Sequence, residues 1–121
     1  MKRLISILCF AVLLSGSVGA HTGRYHHRLP FLATAFAQKG ITRSGIRAQR
    51  GIVAADTRIL PLGTTIQVNN AGPYSGTYTV ADTGALVRGR HIDIFIPSRR
   101  EALEFGRKMV EVVVLRWGEG A

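Results

Sequence analysis

Three aspartates carry the chemistry this chain can offer: Asp56, Asp82 and Asp93 are its only aspartates among 121 residues. Each stands at the edge of an apolar, strand-like run. Asp56 follows Val53-Ala54-Ala55, Asp82 follows Tyr78-Thr79-Val80-Ala81, and Asp93 interrupts Ile92-Asp93-Ile94-Phe95-Ile96. Side chains alternate faces along a strand, so Ile92, Ile94 and Ile96 share one side while His91, Asp93 and Phe95 share the other. The isoleucines supply a core face. Phe95 beside the acid and the histidine marks the opposite face as a sheltered cleft. If the three carboxyls converge, mutual repulsion and partial desolvation raise at least one pKa. A carboxylic acid still protonated near neutral pH is what acetal cleavage requires, because the leaving sugar oxygen must receive a proton. The other reading is that the aspartates cap turns by accepting backbone N–H bonds, and spacing alone leaves both open.

Two further patterns touch these acids. Asp82-Thr83-Gly84 matches the short signature of aspartic proteases, but the tripeptide is common by chance, and the closing Val112-Val113-Val114-Leu115 run lacks the glycine such folds carry after their apolar pair. His91 and Asp93, at alternate strand positions, could share a ligand face. One histidine is thin support for a metal site, and no metal or cofactor is expected.

The elements that must position the acids read as short β-runs separated by turn signals. Phe31 to Ala37 is the first, and Gly40 to Arg50 is a polar loop with two glycines. Ile52 to Ala55 is apolar, Pro61 and Gly63 fix a bend, and Thr64 to Val68 alternates as a strand. A turn over Asn69 to Pro73 leads to strands at Thr77 to Ala81 and His91 to Ile96. One helix is signalled by Ser98 as a cap, Glu101 three residues on, and Gly106 as a stop. A valine-dense strand, Met109 to Trp117, closes the chain. About six short strands and one helix predict a mainly β domain, a small closed barrel.

At the N-terminus, Lys2 and Arg3 precede an apolar run from Leu4 to Leu14 and small residues ending at Ala20, the pattern of a cleaved signal peptide over residues 1–20. The run is shorter than the roughly 20 residues a spanning helix needs, so no stable membrane insertion is expected after processing. Cys9, the single cysteine, lies inside that run, and the remainder needs no disulfide. Residues 21–30, with three histidines, two arginines and a tyrosine, read as a flexible basic arm, and residues 31–121 as the domain. The formal charge of +9 would suggest nucleic acid in a cytosolic protein. An exported protein meets other polyanions, such as acidic wall peptides and anionic headgroups, so nucleic acid is set aside.

The ordered series Ala33-Thr34-Ala35-Phe36, Thr42-Arg43-Ser44-Gly45, Val53-Ala54-Ala55-Asp56, Leu60-Pro61-Leu62-Gly63-Thr64, Ala81-Asp82-Thr83-Gly84, Gly89 and His91-Ile92-Asp93-Ile94-Phe95 resembles the 3D domain, named for its three aspartates. The resemblance runs from Phe31 to Trp117. It departs at Ala85, where a second glycine is frequent, and at Arg43, where a small residue is usual.

That resemblance implies a six-stranded double-psi β-barrel with one short helix, similar to the catalytic barrel of MltA-type lytic transglycosylases and to small stand-alone muralytic proteins. It implies peptidoglycan glycan strands as partner, cut between N-acetylmuramic acid and N-acetylglucosamine, in the periplasm or cell envelope or outside the cell. The acid/base role falls on Asp93, with Asp82 beside it as tuner and Asp56 shaping the site. Thr42, Ser44, Tyr78 and Thr83 are candidate substrate contacts, and Arg88 and Arg90 suit the carboxylates of peptide stems. The large MltA-type enzymes wall their groove with a second domain. A lone barrel can act alone, as a homodimer, or as a glycan-binding or scaffold module without catalysis.

Overall fold

A computed structural model describes residues 27–120; the expected signal peptide and most of the expected arm lie outside the described residues. Six strands form a closed barrel: β1 (Arg28–Phe36), β2 (Ile52–Ala55), β3 (Thr65–Asn69), β4 (Gly76–Asp82), β5 (His91–Phe95) and β6 (Lys108–Arg116). Around the barrel the order is β1-β5-β2-β4-β3-β6. The β1–β5 and β2–β4 pairings are parallel and the other four antiparallel. A closed sheet leaves no edge strand with unpaired backbone groups. The mainly β, six-stranded barrel with one helix is the architecture expected from the sequence.

Alternation builds the core. Ile92 and Ile94 of β5 are fully buried with Ile96 just beyond, and Val53, Ala55, Ile66, Val68, Val80 and Val112 close around them. Ile52, Ala81 and Phe95, with Phe36 and Ala48 against them, make a second, smaller apolar cluster. Ile52 alternates with Val53, so this cluster lies on the other face of the sheet. The Phe36 and Phe95 rings meet edge-on at 5.4 Å. The outward face is therefore sheltered, as Phe95 suggested.

β1 begins at Arg28, three residues earlier than expected, because Arg28, Leu29 and Pro30 pair with Val113, Val112 and Glu111 of β6. These residues were read as the end of the arm because residues 21–30 are rich in histidine and arginine and poor in aliphatic side chains. The β1–β5 ladder starts only at Leu32, so on that side Pro30 faces no strand needing its missing N–H. The helix α1 (Arg99–Phe105) has the expected ends. Ser98 Oγ accepts the Glu101 N–H at 3.2 Å, and Gly106 takes a positive φ of 65° after the last turn. Between β3 and β4 a 3₁₀ turn (Gly72–Tyr74) sets Tyr74 against Phe105 at 5.6 Å.

Candidate active site

The site is built from one row of residues across four adjacent strands. Asp93 of β5 pairs with Thr34 of β1 on one side and with Ala54 of β2 on the other. Ala54 in turn pairs with Asp82 of β4. Cross-strand partners present their side chains to the same face, so Thr34, Asp93, Ala54 and Asp82 stand in line. The two acids are separated by two inter-strand spacings, roughly 10 Å between Cα atoms, with only the alanine methyl between them. Asp82 reaches this row through an irregularity: Val53 pairs with Val80, but Ala54 pairs with Asp82, skipping Ala81. Such a bulge re-aims the side chain that follows it.

Asp93 and Asp82 line one cleft of about 340 Å³, floored by Ala54 and walled by residues of the 38–48 loop and by Thr83, Gly84 and Val87. Burial pushes the Asp93 carboxyl above its ordinary range. The Thr34 hydrogen bond and the nearby His91 pull it partly back, and the charge of Asp82 adds to the rise. Thr34 Oγ1 donates to Asp93 Oδ1 at 2.8 Å and lies 2.8 Å from His91 Nε2. A hydroxyl has one proton to give, so this threonine must accept from His91, which assigns that ring proton to Nε2. Asp93 Oδ2 receives no protein donor among the described residues and is the oxygen free to hold an exchangeable proton. Asp82 Oδ1 accepts the backbone N–H groups of Arg43 and Thr83, both at 2.9 Å, and so ties the two walls of the cleft together.

Asp56 is not in this cleft. Its Oδ1 accepts Arg58 N–H at 3.1 Å and Nε–H at 3.0 Å, and its Oδ2 accepts Arg58 Nη2–H at 2.8 Å and Gly89 N–H at 2.9 Å. The Arg58 guanidinium, then the Gly89 amide, hold its carboxyl far below the usual carboxylate range. A buried acid with both oxygens engaged has no proton to lend. Its effect on the cleft is indirect, through Gly89 at the end of the loop that carries Thr83, Gly84 and Val87. Thus each reading left open by the sequence describes one aspartate: Asp56 pins a turn, and Asp93 is the raised acid.

The remaining predicted residues divide. Thr42 lines the cleft, buried, with its hydroxyl donating to Ile46 C=O at 2.7 Å. Ser44 does not line it but lies 3.0 Å from the Thr42 hydroxyl, and its N–H fastens the loop to Ala81 C=O at 3.0 Å. Thr83 is on the wall. Tyr78 does not reach the site. It belongs to the main core, since it alternates with Val80 on the inward face of β4, and its hydroxyl donates to Tyr74 C=O at 2.6 Å. Arg88 lines a neighbouring groove with Asp56 and Arg58, and Arg90 lines neither that groove nor the cleft. Arg43 needs no space in the cleft, because it contributes its backbone N–H to Asp82 and lines the adjoining groove instead. Thr34 was missed as a site residue, although a threonine between two alanines on a strand is a polar group on the outward face. No group of three or more metal-ligating side chains is found among the described residues.

Barrel and cleft together define a small mixed β-barrel that presents a partly buried carboxyl and a second acid on its outer face. The chain belongs to the 3D domain family, which matches residues 51–116. It is 36% identical over 80 residues to the cell wall-binding protein YocH of Bacillus subtilis strain 168, covering 63% of this chain and 26% of that protein. It is 29% identical over 90 residues to the putative cell wall shaping protein YabE of the same organism, covering 70% and 21% respectively. Both matches span about a quarter or less of those relatives. Among solved structures, MltA from E. coli superimposes with a TM-score of 0.54 at 22% identity, over 65% of this chain and 28% of that one. The MltA structure with bound chitohexaose gives a TM-score of 0.52 at 19% identity, over 64% and 28%. These two likenesses are of fold.

Proposed function

We propose that this protein cleaves the glycan strands of peptidoglycan in the manner of a lytic transglycosylase, with Asp93 as the single acid/base. The observation that carries the reading is the Asp93 carboxyl: raised by burial, held on one oxygen by Thr34, free on the other, in a cleft that also contains Asp82. Asp93 Oδ2 protonates the oxygen linking N-acetylmuramic acid to N-acetylglucosamine as that bond breaks. The same carboxylate then takes the proton of the muramic acid C6 hydroxyl, whose oxygen closes a 1,6-anhydro ring and returns Asp93 to its starting state. Hydrolysis would need a second carboxylate to activate water or attack the sugar, and the other acid of the cleft, Asp82, has Oδ1 committed to the Arg43 and Thr83 N–H groups. Asp82 raises the proton affinity of Asp93 and braces the walls, Asp56 positions the 83–89 loop, and Thr42 and Thr83 contact sugar. The N-terminal pattern supports export, to the envelope or beyond it.

A non-catalytic glycan-binding module is the second reading. Among the described residues the cleft is walled by two loops, and YocH carries the name of a wall-binding protein. Mass spectrometry of soluble products from purified peptidoglycan, with an Asp93→Asn control, separates the two. Anhydro-muropeptides from the parent alone support the transglycosylase. Reducing-end products lost in the control keep the enzyme and replace the mechanism with hydrolysis. No products from either, with both co-sedimenting with the wall, sink the catalytic reading.

A further inference from the structure

Thr83 stands where three hollows of the surface meet. With Gly84 and Val87 it walls the Asp82–Asp93 cleft on one side and a groove of about 450 Å³ on the other, the latter also lined by Arg58 and Arg88. Thr83 and Thr57 continue that groove toward Arg43 and Pro61, through a further hollow of about 490 Å³. Three arginines therefore border one continuous depression that opens onto the cleft. The acid in its lining is Asp56, whose oxygens are consumed by Arg58 and Gly89. Arg43 and Arg88 are both exposed, and neither is paired with a carboxylate among the described residues. Arg88 donates its Nε–H to Ala85 C=O at 3.1 Å, which orients the guanidinium and leaves both terminal nitrogens free.

We propose that this groove is an anion site that seats the carboxylates of a peptide carried by the glycan lying in the cleft. The inference rests on the glycan reading of the cleft and names the part of the substrate that lies beyond the sugar. Guanidinium forks suit planar carboxylates in two-point contact, where lysines would offer only point charges. The shared wall is what selects a tethered peptide over a free polyanion. An acid attached to the sugar at the cleft reaches the groove by crossing Thr83, whereas a separate phosphate polymer has no need of a groove continuous with the cleft.

Equilibrium binding in an Asp93→Asn background tests this without requiring cleavage, so the catalytic reading and this one fail separately. The probes are a short glycan bearing its peptide stems, the same glycan stripped of them, and a glycerol-phosphate oligomer. The stem-bearing glycan is expected to bind about five- to tenfold more tightly than the stripped one, the size of two exposed ion pairs. The ratio should fall toward one in the Arg43→Gln/Arg88→Gln double variant, be partly kept in the corresponding Lys pair, and shrink with added salt. Equal affinities for the two glycans, or a ratio unchanged by the glutamines, would overturn the proposal. Tighter binding of the glycerol-phosphate oligomer that depends on the same arginines would overturn it too, and would assign the groove to phosphate.

Discussion

Replacing Thr34 with valine keeps the shape of the side chain and removes the one hydroxyl that touches both Asp93 and His91. The wild-type bond to Asp93 Oδ1 is 2.8 Å long and is donated to the oxygen of a carboxyl that burial already biases toward its neutral form. A hydrogen bond to a charged group contributes about 1.5–3 kcal/mol. The low end applies at a half-buried position, and part of the bond is also made to the neutral acid, which leaves about 1 kcal/mol favouring the carboxylate. Its loss lowers the ratio of carboxylate to carboxylic acid about fivefold at a given pH, so Asp93 should titrate at higher pH in Thr34→Val. Carbon-detected NMR of the aspartate carboxyls reads this directly, because the chain has only three aspartates. Asp56 and Asp93 are displaced in opposite directions, which keeps their titrations apart. Thr34→Ser restores the hydroxyl and should restore the wild-type curve. An unchanged Asp93 titration in the valine variant, or no recovery in the serine variant, would refute the role given to this contact.

The two perturbed aspartates should affect stability with opposite signs. Asp56 has a depressed folded-state pKa, so its stabilisation is present above the unfolded carboxylate pKa and is lost as pH falls through the folded value. Asp56→Asn should therefore lower the thermal midpoint at pH 7, with the deficit shrinking in strong acid. Asp93 has a raised folded-state pKa, so its penalty appears as pH rises from the unfolded toward and through the folded value. Asp93→Asn should raise the midpoint slightly at pH 7 and not at pH 3. Gly118→Ala should cost about 1–3 kcal/mol in denaturant unfolding, because the new methyl would fall on the Leu62 carbonyl oxygen and the Gly63–Thr64 peptide.

The order of elements was legible because the barrel is made from short runs whose alternation is strict. Ile92, Ile94 and Ile96 fixed which face of β5 is inward, and with it the outward direction of Asp93. Ser98 and Gly106 marked α1 because capping chemistry is local. Tyr78 and Asp56, which lie outside the cleft, were grouped with the site by residue type without position. Tyr78 was offered as a substrate contact, but it shares the inward face of its strand with Val80, in the core, where its hydroxyl finds a backbone partner. Asp56 was grouped with the other acids by type, although Arg58, two residues on, was a signal for a local side-chain bridge.

That Asp82 stands beside Asp93 was implied by the 3D-domain resemblance, but strand alternation alone does not place it there. In regular register Ala54 would face Ala81, and Asp82 would fall on the opposite side from Asp93. The skip between Val53 and Ala54 corrects this by one residue and buries Ala81 in the small outer cluster with Ile52 and Phe95. No residue type announces that bulge. It depends on a balance among backbone pairing, the apolar contacts of Ala81, and the two N–H groups that Asp82 Oδ1 collects from Arg43 and Thr83. The second acid of the cleft is thus set by tertiary structure, whereas the first is set by the period of its own strand. A substitution that restores regular register in β2 and β4 would remove Asp82 from the cleft while leaving Asp93 where it is.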